Sequence, residues 1–122
     1  MRTAFNAPSG NVARAVGNLL EHYERWGERA IRIASVDGLG EVAAGLGRRA
    51  RQLHCDWVEH AFGSSLGRLS AKDRGRRRAA LIALCDVHTW WLLSHDLELP
   101  RAEVRATLID AIESVIAEET KR

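Results

Sequence analysis

The feature that most constrains this chain is the stretch Ala79–Leu93. Twelve of its fifteen residues are apolar, the exceptions being Asp86, His88 and Thr89. At 100° per residue Leu84 and Trp91 fall near one side, Ile82 and Leu93 nearly opposite, and Leu81, Cys85 and Leu92 in a third direction. As a single helix it keeps no polar face, and a helix that is apolar all round must be covered all round. The other helices of a 122-residue chain are too few to enclose it, so a second copy is expected to do so. Glu98-Leu99-Pro100 ends the stretch, and Pro100 suits the first turn of a following helix. There Val104, Leu108, Ala111, Ile112, Val115 and Ile116, widened by Ile109, make a stripe broad enough for its own core and a partner helix. The expected dimer is an intermolecular four-helix bundle. Its interface candidates are Ile82, Thr89, Trp90, Leu93, Leu108, Ile112, Val115 and Ile116.

Helical periods also organise the first half. Residues 1–8 read as a flexible lead-in, and 9–122 as one domain. Ser9 is placed to cap a first helix to about residue 35, with Val12, Val16, Leu19, Tyr23, Trp26 or Gly27, and Ala30 as its apolar stripe. Gly38 is its expected stop. A second helix over about 39–62 carries Leu39, Val42 or Ala43, Leu46, Ala50, Leu53, Trp57 and Ala61 in register. Gly45 and Gly47 weaken it by about 1 kcal/mol each relative to Ala, which allows a break. Gly63-Ser64-Ser65 and Gly67 read as a loop. Ser70 with Asp73 resembles a capping box and opens a third helix over about 70–97, and the fourth spans about 100–119. With no strand alternation and no internal repeat, the fold class is all-α with four main helices.

Composition narrows the function classes. Eighteen Lys and Arg stand against sixteen Asp and Glu, a net +2, which excludes a histone-like binder. Two cysteines cannot make a disulfide scaffold, so a reduced cytoplasmic setting is expected. There is neither a run of about 20 apolar residues to cross a bilayer nor a signal-peptide core, so no membrane partner is expected.

Five groups of residues invite a functional reading. Arg68, Lys72, Arg74, Arg76, Arg77 and Arg78 form a basic cluster offset by Asp73 alone. It lacks the interleaved aromatics of a nucleic-acid surface and reads as a solvated helix entrance. Cys85 and His88, three apart on one helix, with His54, Cys55 and His60 from helix two, have the donor types zinc accepts. Cys85 sits among apolar neighbours and reads as core, so neither metal nor cofactor is expected. Cys85, His88 and Asp86 project too far apart around a helix for a catalytic triad, and no enzyme activity is expected. Asp86 needs a partner, expected to be an arginine of helix one, helix two or the second copy. Trp26, Leu53, Trp57, Phe62, Leu84, His88 and Trp91 are the candidate lining of an apolar pocket.

The segment Cys85-Asp86-Val87-His88-Thr89-Trp90-Trp91-Leu92-Leu93, continued by Asp96-Leu97 and by Pro100-Arg101-Ala102-Glu103-Val104, resembles the C-terminal domains of TetR/AcrR-family transcriptional regulators. Tyr23–Arg29 and His54–Phe62 agree with it, and the resemblance spans about Asn11 to Ala117. It implies an effector-binding, dimerising module whose last two helices form the dimer bundle and whose cavity takes a small, mostly apolar molecule. His88 stands where that family often has Tyr, and Trp91 where Lys is frequent. The family's helix-turn-helix head has no counterpart in residues 1–10, so specific DNA binding by this chain is not expected. Two rivals are an interaction protein that heterodimerises with full-length regulators, and a small metal or cofactor carrier using Cys85, His88 and His54.

Overall fold

The first helix begins where a side chain can satisfy its open amides. Asn11 Oδ1 accepts the Arg14 amide at 3.0 Å, and α1 follows as Val12–Ser35. The computed structural model describes residues 11–35 and 41–117 and gives α2 (Glu41–Leu66), α3 (Ala71–Leu84), α4 (Val87–Trp91), a π-helical turn (Leu92–Asp96) and α5 (Arg101–Ile116). Every described element is helical, as the periodicity requires. The expected signals Ser9, Gly38 and Leu39, like the lead-in 1–8 and the end of the last helix at 119, lie outside the described residues.

Two boundaries depart from expectation. Gly63-Ser64-Ser65, read as a loop, continue α2 as far as Leu66. Burial of Leu66 in the core rewards the extra turn, and Arg74 reaches back to the Leu66 and Leu69 carbonyls at 3.3 and 3.1 Å. Gly45 and Gly47 do not interrupt α2. Ser70 caps α3 as expected, its hydroxyl accepting the Asp73 amide at 3.3 Å. The larger departure is that the Ala79–Leu93 rod is not one helix. It breaks at Cys85–Asp86, where Asp86 turns extended (φ −70, ψ 151) and starts α4. The π-helical turn ends at Asp96, and two residues on Glu98 stands in the left-handed region at φ 56.

The core draws on the four long helices. Ala15, Val16, Leu19, Leu20 and Tyr23 of α1 meet Trp57, Val58, Ala61, Phe62 and Leu66 of α2. Leu81 of α3, Cys85 beyond its last turn, and Val104, Leu108 and Ile112 of α5 close it. Trp57 Nε1 donates to Asn18 Oδ1 at 3.1 Å and marks the level at which α1 and α2 face each other. Past the break the chain leaves α2 for α1, and Trp90 lies against Tyr23 with ring centroids 5.7 Å apart. Gly27 makes that approach possible, since a Cβ there would stand 2.6 Å from the Trp90 ring. The choice left open between Trp26 and Gly27 falls to Gly27, which is buried, while Trp26 is 45% exposed with Arg29 over its ring at 5.2 Å. Beyond Gly27 no described residue of α1 is buried.

Candidate functional site

The break between α3 and α4 concentrates the polar chemistry of the molecule. No glycine or proline occurs in residues 79–93, so the bend is not dictated by local backbone preference. Side chains hold it instead. Tyr23 of α1 donates its hydroxyl to the Cys85 carbonyl at 2.7 Å. His54 of α2 donates Nε2–H to the Ile82 carbonyl at 2.8 Å. Thr89 Oγ1 donates to the Ala83 carbonyl at 2.6 Å. Three carbonyls near the break therefore accept side-chain donors from three helices.

Asp86 supplies the other half of the clamp. One carboxylate oxygen, Oδ2, accepts both the His88 amide and His88 Nδ1, each at 2.9 Å, and so caps α4. The other, Oδ1, faces Arg51 Nη1 of α2 at 3.4 Å. An arginine partner from helix two was among the expected solutions for this carboxylate. Burial pushes the Asp86 carboxyl up, but the His88 amide and ring, with His54 nearby, outweigh it and hold it below the ordinary range. Burial raises the Tyr23 hydroxyl far above its usual value, so it stays a neutral donor, and pushes the Cys85 thiol up to about 12. His54 Nδ1 is buried and meets no hydrogen-bond partner among the described residues.

Cys85 and His88 do not meet as a ligand pair. Cys85 is sealed in the core, whereas the His88 ring lies at the surface against Asp86. Among the described residues no group of three or more His, Cys, Asp or Glu gathers as a metal-ligand set.

The seven pocket candidates are not gathered into one cavity. Trp57 and Phe62 meet edge-on at 6.0 Å within the core, and Leu84 packs onto it. Trp26 and Leu53 are exposed, and Trp91 stacks on His95 at 4.1 Å with the rings 10° from parallel. The interface candidates divide as well. Leu108 and Ile112 are wholly buried in their own chain, because α5 turns that edge to α1 and α3. Trp90 is spent on the Gly27 socket and Thr89 on the Ala83 carbonyl. Ile82, Leu93, Val115 and Ile116 remain half-covered at the margin of the core.

The basic cluster is largely structural. Arg77 donates to the Val115 and Ala117 carbonyls at 2.9 and 2.7 Å, closing the C-terminal end of α5, where cations are favoured. Arg74 closes the end of α2, Arg78 pairs with Glu59, and Arg76 with Asp73 at 3.2 Å. Sequence reasoning missed these roles, as it missed Tyr23, His54 and the Gly27 socket. Only Gly27 left a signal, a glycine on the core stripe of a long helix.

The whole arrangement defines an all-helical domain with a side-chain-held bend between its third and fourth helices. No protein-family model, no characterised relative and no solved structure matches the chain.

Proposed function

We propose that this chain is a TetR-like regulatory domain. It dimerises through the α4–α5 region, senses a small effector, and contributes to transcriptional control through a helix-turn-helix head lying outside these 122 residues. The observation that carries this reading is an apolar edge left uncovered along the segment that bears the resemblance. Leu92 is 47% and Leu97 57% exposed, and elsewhere along the same segment Leu93, Ile109, Val115 and Ile116 are only half-covered. Exposed apolar residues continuous with a core margin favour association with a like surface. The same segment leads back through the bend to α1 and α2, so a ligand that prefers one setting of the hairpin biases the partner helices by population shift. No described helix is long and apolar enough to cross a membrane.

Sedimentation velocity at micromolar concentration tests it. The expected species is a dimer, converted to monomer by Leu92→Glu with Leu97→Glu, while the helical circular dichroism is retained. Arg49→Glu, an exposed change outside that edge, leaves the dimer intact. A monomeric parent chain overturns the reading.

A further inference from the structure

We propose that the α3–α4 bend is a two-state joint, whose second state is one uninterrupted helix running from α3 through α4. The inference goes beyond the regulatory reading and stands without it.

The bonds at the break carry the argument. In an uninterrupted helix each amide meets the carbonyl four residues back. The amides of Asp86, Val87, His88 and Thr89 would then take the carbonyls of Ile82, Ala83, Leu84 and Cys85. In the bent form a side chain occupies one member of each of these four pairs. His54 Nε2 holds the Ile82 carbonyl at 2.8 Å, Thr89 Oγ1 the Ala83 carbonyl at 2.6 Å, and the Tyr23 hydroxyl the Cys85 carbonyl at 2.7 Å. The fourth pair is opened from its amide side, where Asp86 Oδ2 accepts the His88 N–H at 2.9 Å. Two displaced amides make shorter-range bonds, Asp86 to the Ala83 carbonyl at 3.3 Å and Thr89 to the Asp86 carbonyl at 3.1 Å. Nothing in the backbone prevents the reverse exchange, because no residue from 79 to 93 is a glycine or a proline.

Packing decides which form prevails. Around an uninterrupted helix Trp90 projects about 180° from Leu81. Leu81 is wholly buried, so the straight form turns Trp90 away from the core and takes its ring off Gly27. The bent form seats both side chains. Straightening also leaves the Tyr23 hydroxyl and His54 Nε2 short of an acceptor, which keeps the straight form minor. What it recovers is four backbone bonds of regular geometry. The π-helical turn and Leu92 follow directly on α4, so the state of the joint sets where that apolar edge is presented. A binding event that favours either form shifts the balance.

The test is ¹⁵N and ¹³C relaxation dispersion on the full chain, which reads microsecond-to-millisecond exchange. The expected minor state has a population of about 1%, with the Asp86 ¹³Cα shift moved into the helical range. The Gly27 amide should exchange at the same rate, as the Trp90 ring leaves it. Tyr23→Phe keeps an aromatic ring against Trp90 but releases the Cys85 carbonyl. It should raise the minor population at least about fivefold, the weight of one hydrogen bond. Thr89→Val, which releases the Ala83 carbonyl, acts in the same direction. Thr107→Val, the same change at an exposed position of α5, leaves the population unaltered. Straightening and fraying are told apart in the parent chain itself, whatever the variants do. No exchange at residues 85–89, or a minor state with random-coil shifts there, overturns the proposal. So does an unchanged population in both Tyr23→Phe and Thr89→Val, or an equal rise in Thr107→Val.

Discussion

Two ends of this molecule carry similar numbers of arginines and use them in opposite ways. Where α2, α3 and α5 meet, Arg74, Arg77 and Arg78 reach carbonyls at two helix ends or the Glu59 carboxylate. At the outer end of the α1–α2 hairpin, Arg25, Arg48 and Arg49 stand in solvent without ion pairs among the described residues. Charge density does not separate these regions. At the first end two of the three arginines meet the open carbonyls of a helix C-terminus and the third a carboxylate on a neighbouring helix. The border between the ends is Gly27, the last buried residue of α1 among those described.

That border should show the largest effect. Gly27→Val drives two methyl groups into the Trp90 ring and is expected to cost about 2–3 kcal/mol in denaturant unfolding. Gly17→Ala in the same helix meets nothing within 4 Å and should stabilise by about 1 kcal/mol through helix propensity. Similar losses from both would dissolve the border. At the closed end, Arg77→Gln abandons two terminal carbonyls of α5 and is expected to cost about 1–2 kcal/mol. Hydrogen exchange should quicken first in the last turn of α5, and uniform quickening would deny Arg77 a capping role.

The bend sits between the two ends and adds a pH dependence. The folded carboxyl of Asp86 titrates below its ordinary value of 3.8, so its contribution is complete above that value and is lost as acid protonates it. Asp86→Asn keeps the capping oxygen and loses the charge. It should cost about 1 kcal/mol at neutral pH, a deficit that fades below about pH 4. A deficit constant down to pH 2 would mean that the charge is immaterial. The smallest effect belongs to the open end, where Arg48→Gln should leave thermal stability within about 0.5 kcal/mol of the parent.

Sequence periodicity was enough for the all-helical class, for the Ser70 cap and for most of the core stripe from Val16 to Tyr23. It failed at the bend for a definite reason. Residues 79–93 contain no helix breaker, and two of the donors that hold the break lie on α1 and α2, about 60 and 30 positions earlier in the chain. A one-dimensional reading makes this stretch a uniform rod. In the structure the break divides it, Leu81 and Cys85 entering the core and Trp90 lying against α1. The candidate site was legible only in part. Asp86 declared itself as a carboxylate needing an arginine, but the choice of Arg51 depends on how far α2 slides along α3. The expected apolar pocket is not gathered among the described residues, since Leu53 and Trp26 are exposed while Trp57 and Phe62 are buried in the core.

Because Tyr23 and His54 hold the carbonyls at the bend, the heading of α4 is anchored to two helices that are distant in sequence. One donor stands on α1 and the other on α2, so the direction of α4 is tied to how those two helices are set against each other. Two hydrogen bonds from distant parts of the chain thus stand in for the local breaker that residues 79–93 lack.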